Sequence, residues 1–242
     1  MIGGAFSMLR PDCTLLTLQP AVVTTEPEST LQLIYKKLFD FAVAKHARLV
    51  MLLVDFQQSA DETLLGEFGF EKISDLLNLN AERSVFPTHN PSDRLMFHPY
   101  KNDLWDRMVA LVEKTYKNTL DFPRLTGLVS TESILRGYQE SHVFDPSLWF
   151  FIEFRSQIIG ALLLTQIEST EHLELTYLGL TEEFRGHRFS REIVQFSQFI
   201  TEQRNNTHLL VAVDAANTPA ISTYLRCGFQ LHDQKEIFVR FL

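Results

Sequence analysis

Between Glu174 and Phe229 the chain carries a carboxylate, a basic glycine-containing loop, an asparagine and a tyrosine, in that order. The loop is Arg185-Gly186-His187-Arg188-Phe189-Ser190. It follows an apolar run, Glu174-Leu175-Thr176-Tyr177-Leu178-Gly179-Leu180, and precedes a helical pattern at Ile193, Val194, Phe196 and Ile200. A helix N-terminus offers free N–H groups and the positive end of a dipole, which suits a diphosphate. Gly186 lets backbone approach a phosphate closely, and Arg185 and Arg188 can add charge-assisted contacts. Further on, Asn217 stands where it can cap a short helix whose first turn holds Pro219. Tyr224 follows on that helix, four residues before Gly228. A phenol with a pKa of about 10 keeps its proton at neutral pH and can act as a general acid. The order is that of a cradle for an anionic cofactor beside an acid catalyst.

Each residue also has a plainer use. The loop can be a basic helix start on a solvated surface, the leucines plain sheet core, and Glu174 a charge at a strand end. Tyr224 can pack its helix, and Asn217 can cap with no cofactor present.

The elements that must position these residues are legible as periodicity. Leu209-Leu210-Val211-Ala212-Val213 reads as a buried strand, followed by Asp214 and then the short helix. Upstream, Arg94–His98 reads as a strand and 104–120 as a helix capped by Asn102. The stretch 122–127 reads as a loop able to cover a substrate cleft, and 131–138 as a second helix. Residues 148–154 and 158–165 make a hairpin across Arg155-Ser156-Gln157, and the Glu174 strand pairs next. Gly179 is expected to ease a bulge in that strand.

The N-terminal part repeats the pattern without the chemistry. Thr14–Val23 reads as a strand containing Pro20, so part of it lies at an edge or a bulge. Glu26-Pro27-Glu28-Ser29-Thr30 starts a helix, Leu49–Val54 is a buried strand, a short helix is stopped by Gly69, and 72–79 is a last strand. Asp55 precedes Gly69-Phe70 by the same 14 residues that separate Asp214 from Gly228-Phe229. At that offset Gln58 faces Asn217, Leu65 faces Tyr224, Leu15 faces Glu174, and the acidic 26–31 segment faces the basic loop. Residues 1–85 are therefore read as a partial, degenerate copy, joined through a linker at 85–92 to a complete domain over 92–242.

A net charge of −8 argues against nucleic acid or an anionic membrane as the main partner. Two cysteines, Cys13 and Cys227, make neither a metal pair nor a disulfide framework, and a reducing cytoplasm is the expected compartment. The histidines, His142 among them, show no metal spacing. The first ten residues lack the pattern of a signal peptide.

The Glu174–Phe229 stretch resembles the cofactor core of the GNAT (Gcn5-related) N-acetyltransferases, whose loop runs [QR]-x-x-G-x-[GA] after a strand, with Asn, Tyr and Gly-Phe beyond. The ending, Asn217-Thr218-Pro219-Ala220 with Gly228-Phe229, most resembles the mycothiol-synthase-like branch. Arg188 stands at the motif's middle glycine and Ser190 at its last small residue. The resemblance implies a mixed α/β (α+β) fold, a mostly antiparallel sheet flanked by helices. It implies acetyl-CoA as cosubstrate, with no metal, its pyrophosphate held by Arg185, Gly186, His187, Arg188, Phe189 and Ser190. The pantetheine arm would lie along Leu178, Gly179 and Leu180 and bond Asn217. Glu174 would be the general base and Tyr224 the general acid in direct transfer to an amine. The expected acceptor is a small-molecule amine in preference to a protein, with a homodimer left open. The alternative is a non-catalytic acyl-CoA-binding or regulatory protein on the same fold.

Overall fold

The computed structural model describes residues 3–23, 27–58, 61–140 and 144–242. Glu26 of the first helix-start signal, Met1, Ile2 and His142 lie outside them. In chain order the elements are β1 (Gly3–Gly4), β2 (Ser7–Leu9), β3 (Thr14–Leu18), β4 (Ala21–Val22), α1 (Pro27–Ala44), β5 (Leu49–Asp55), α2 (Glu62–Glu67), β6 (Glu71–Glu82), β7 (Met96–Pro99), α3 (Trp105–Thr115), α4 (Thr131–Glu140), β8 (Trp149–Phe154), β9 (Gln157–Gln166), β10 (His172–Leu180), α5 (Phe189–Gln203), β11 (His208–Asp214), α6 (Thr218–Arg226) and β12 (Gln230–Phe241). They form two compact units, residues 1–76 with 234–242, and residues 77–233. The segment expected as a linker, 85–92, falls inside the second unit.

In the first unit, β3 and β5 pair in parallel with α1 as their crossover, and β12 runs antiparallel to β5. Leu15, Leu38, Ala42, Val50, Leu52, Val54 and Phe238 form its core, with Tyr35 and Phe70 in ring contact. Burial raises the Tyr35 phenol to about 12. Pro20 does not interrupt a strand: β3 ends at Leu18 and β4 begins at Ala21, because proline cannot donate to a ladder.

In the second unit, β7, β8, β9 and β10 pair antiparallel in sequence and β11 joins β10 in parallel. Strand alternation splits the side chains between two cores. Phe150, Ile152, Leu162 and Leu164 join Ile193, Val194 and Phe196 of α5 on one face. Trp149, Phe151, Ala161 and Leu163 join Met108, Leu111, Val112 and Leu135 of α3 and α4 on the other. The fold is thus mixed α/β, a mostly antiparallel sheet flanked by helices. The β8–β9 turn places Arg155 and Ser156 at φ 48° and 64°, the left-handed pair that a two-residue hairpin turn requires. Asn102 does not cap α3. It lies in a 3₁₀ turn, Asn102–Leu104, and the helix starts at Trp105 and ends at Thr115, short of the expected 120.

Candidate active site

The site begins with one extra residue in β10. The β9–β10 register shifts between Leu175 and Tyr177, so Thr176 is the bulge. A one-residue shift exchanges the faces of every later side chain. Leu173 and Leu175 belong to the α5-side core before it, and Leu178 and Leu180 pack there after it. Tyr177 is thereby turned to the α3–α4 side. There its hydroxyl hydrogen-bonds Thr115 Oγ1, which donates to Val112 O at 2.7 Å. The parallel register with β11 covers His172, Leu173 and Glu174, opposite His208, Leu209 and Leu210, and ends just before the bulge. Beyond it β10 and β11 part. Leu178, Gly179 and Leu180 keep their β9 partners, and their other edge borders the gap.

Gly179 is not the bulge residue. It is needed for space, since a Cβ there would meet the Tyr177 hydroxyl and Thr115 Oγ1. Gly160 is equally constrained: a Cβ on it would run into the Gly179 carbonyl oxygen.

The basic loop leaves the C-terminal end of β10 through a 3₁₀ turn, Glu182–Phe184. The Arg185 side chain turns back into the protein. Its guanidinium donates to Leu180 O at 3.0 Å, Asn118 O at 3.0 Å and Thr115 O at 2.6 Å. It therefore ties the end of α3 to the end of β10 in this structure, whereas the sequence suggested a phosphate contact. Gly186 takes φ 77°, with open space where a Cβ would stand. Arg188 is the N-cap of α5 at φ 64°, ψ 14°, so a non-glycine residue holds the left-handed conformation at the motif's glycine position. The N–H groups of Gly186, His187, Arg188, Phe189 and Ser190 have no acceptor among the described residues. His187 and Arg188 are exposed. Phe189 is core, 3% exposed, against Phe154 at 4.8 Å. Ser190 faces Thr223 of α6 at 3.5 Å. Free amides, an open glycine and two exposed basic side chains fit a diphosphate.

Arg188 makes a measurable prediction. A left-handed backbone costs an L-residue roughly 1–2 kcal/mol, of which glycine's extra freedom when unfolded returns roughly 0.4–1 kcal/mol. Arg188→Gly should raise stability by about 0.5–1 kcal/mol in denaturant unfolding. Arg188→Ala, which keeps the strain, should not.

On the β11 side, Asn217 caps α6, its Oδ1 accepting from Ala220 N at 3.4 Å. Asp121 comes from the segment between α3 and α4 and is latched to the end of β11. Its Oδ1 accepts from Asp214 N at 3.3 Å, and Phe122 N donates to Asp214 Oδ2 at 3.0 Å. The residue as a whole is open to solvent, yet desolvation of the carboxyl raises its pKa. The Asp214 N–H opposes that rise, the Asp214 charge adds to it and Asn217 opposes it.

Tyr224 is 6% exposed, its ring 5.4 Å from Phe229. Its hydroxyl has no hydrogen-bond partner among the described residues. Burial first, then the charges of Asp121 and Cys227, push its pKa above the ordinary phenol value, so the proton is retained at neutral pH. Tyr116 and Tyr177 are raised likewise, by burial first and in part by Asp121.

Glu174 pairs with Thr165 and Leu210, at the last position of the parallel β10–β11 register. Alternation puts it on the α3–α4 face. His232 is exposed. No metal-binding group occurs among the described residues, and no described helix is long and apolar enough to cross a membrane.

Asp121 is the residue the sequence did not mark. It directly precedes the 122–127 stretch read as a cleft-covering loop, and nothing in its local spacing distinguishes it from any other loop aspartate.

Solved structures resemble the whole chain. A Gcn5-related N-acetyltransferase from Sphaerobacter thermophilus superposes with a TM-score of 0.71 at 15% identity, covering 99% of this chain and 76% of that one. A Gcn5-related N-acetyltransferase from Kribbella flavida gives 0.64 at 12%, covering 99% and 88%. A tandem GNAT protein from the clavulanic acid biosynthesis pathway gives 0.55 at 11%, covering 94% and 75%. At these identities the likeness is one of fold. No curated protein matches by sequence. The sequence pattern of the Acetyltransferase (GNAT) family matches residues 108–229, just over half of the chain. That span runs from α3 through the parted strands and the left-handed loop to the Gly-Phe after Tyr224, and by it this chain belongs to the acetyltransferase (GNAT) family.

Proposed function

We propose that the protein is an acetyl-CoA-dependent N-acetyltransferase acting on a small-molecule amine by direct attack. The observation that carries this reading is the gap between β10 and β11, with loop amides following one strand and a buried phenol on the helix following the other, none of them with a hydrogen-bond partner among the described residues. Acetyl-CoA would supply the activated acyl group. The amides from Gly186 to Ser190 with the Arg188 side chain would hold its diphosphate. The free edge of Leu178–Leu180 and the Asn217 amide would align the pantetheine arm, and positioning of this kind is itself a large part of catalysis. Tyr224 would give its proton to the departing sulfur. Two free cysteines suit a reducing cytoplasm.

The half-repeat reading belongs here as well. It draws support from Asp55 and Asp214, each the last residue of its strand, and from Gly69 and Gly228, each left-handed after a short helix, at φ 75° and 86°. The mycothiol-synthase-like resemblance leaves the acceptor open.

A second reading, an acyl-CoA sensor without turnover, is favoured by Arg188 at the glycine position. One titration separates the two. Acetyl-CoA at about 100 times its Kd should stabilise the protein by roughly 2.7 kcal/mol, and a panel of primary amines should then release free thiol. Stabilisation with no thiol release by any amine supports the sensor, and no stabilisation defeats both readings.

A further inference from the structure

The second unit holds a cavity of about 240 Å³ that the reading above does not use. It is lined by Arg107, Leu111 and Lys114 of α3, by Ile158 of β9, and by Thr181 and Glu183 just past the end of β10. Leu111 and Ile158 belong to the α3–α4 side of the sheet, and β9 lies along the edge of β10 opposite to the gap. Arg107 and Lys114 stand one turn before and one turn after Leu111, so all three share one face of α3. Neither cation has an ion-pair partner among the described residues. The Arg107 guanidinium lies over the Phe151 ring at 5.4 Å, a contact that orients it.

Exposed cations on a helix face are ordinary. A buried hydroxyl left unpaired beside them is not. Thr181 is 8% exposed, and its Oγ1 has no hydrogen-bond partner among the described residues. Its backbone is pinned on both sides: Thr181 N donates to Ile159 O at 2.9 Å, and Phe184 N donates to Thr181 O at 3.0 Å. The threonine is therefore held in place with a donor to spare. Two cations against the single carboxylate of Glu183 leave one positive charge in excess, which suits a monoanion. Leu111 and Ile158 offer apolar surface to the rest of such a molecule.

We propose that this cavity binds a small organic carboxylate, at a site separate from the gap. Arg107 and Lys114 hold the carboxylate by charge-assisted hydrogen bonds, Thr181 donates its hydroxyl hydrogen to one of the oxygens, and the apolar body rests on Leu111 and Ile158. The site stands whether or not the gap takes acetyl-CoA.

The test titrates the full-length protein with acetate, 4-methylpentanoate and benzoate by NMR, following the Leu111, Lys114, Ile158, Thr181 and Glu183 amides. Benzamide is the uncharged counterpart of benzoate, and inorganic phosphate is the anion without an apolar body. At least one carboxylate should shift these signals, and benzamide should not. Replacing both cations, Arg107→Gln with Lys114→Gln, should weaken that carboxylate at least tenfold. Both side chains are exposed, so this variant folds. Thr181→Val keeps the shape and removes the hydroxyl, and should weaken binding at least threefold. Should Thr181→Val fail to fold, the charge variant decides. The proposal is overturned if no carboxylate of the panel shifts these amides, if benzamide or phosphate binds as tightly as the best carboxylate, or if the charge variant keeps the affinity within twofold. Displacement of the carboxylate by acetyl-CoA would overturn it too, by joining the cavity to the cofactor site. Absence of any acetyl-CoA binding would defeat the acetyltransferase reading alone, because carboxylate binding is read without the cofactor.

Discussion

Tyr224→Phe is expected to lower turnover by roughly 10²- to 10⁴-fold while acetyl-CoA stabilises the variant as it does the wild type. The hydroxyl is the only group removed, and phenylalanine fills the same space against Phe229. Folding stability should change by less than about 0.5 kcal/mol, because the hydroxyl has no hydrogen-bond partner among the described residues to lose. A tyrosine kept for packing would predict the same stability and no loss of turnover, so steady-state kinetics with a thermal-shift control separates the two. The direction of the phenol shift adds a pH signature. Burial raises its pKa, so the proton persists to a higher pH than in a free phenol. Turnover should therefore show no descending limb from this group below about pH 10. Wild-type turnover in Tyr224→Phe would remove the residue from the mechanism.

Gly160→Ala is expected to cost about 3 kcal/mol or more of stability, since overpacking against atoms that cannot rotate away exceeds the usual core penalty. The obstacle is the backbone oxygen of Gly179, so relief requires β9 and β10 to separate at Gly160 and Leu180. A drop in Tm of about 6–12 °C follows for a chain of this size. Gly179→Ala makes the informative contrast, because its added Cβ would meet side-chain oxygens of Tyr177 and Thr115. Removing the Tyr177 hydroxyl should recover part of that loss, a coupling that a double-mutant cycle measures. Additive losses in the cycle, or a Gly160→Ala protein as stable as the wild type, would contradict the packing of β10 described above.

These two residues mark how far the sequence reaches. The two strands were legible in outline, since apolar runs of five to seven residues bounded by charge and turn residues declare buried strands. The bulge was not, because Thr176 is an ordinary strand residue, and its extra position is fixed by pairing with β9 and by Tyr177 finding Thr115, 62 residues away. The basic loop was legible as a helix start with a glycine. The destination of Arg185 was not, because its three carbonyl partners, Thr115, Asn118 and Leu180, come together only when α3 packs beside β10.

The sequence by itself determined the mixed α/β pattern, the order of loop, asparagine and tyrosine, and the non-glycine residue at Arg188, because composition and local spacing record these. Tertiary structure alone decided that Arg188 is left-handed, that Arg185 is a strut, that Gly160 and Gly179 are needed for space, and that Asp121 is latched to the end of β11. Each of those depends on contacts between distant segments, and local spacing carries no record of which distant atoms will meet.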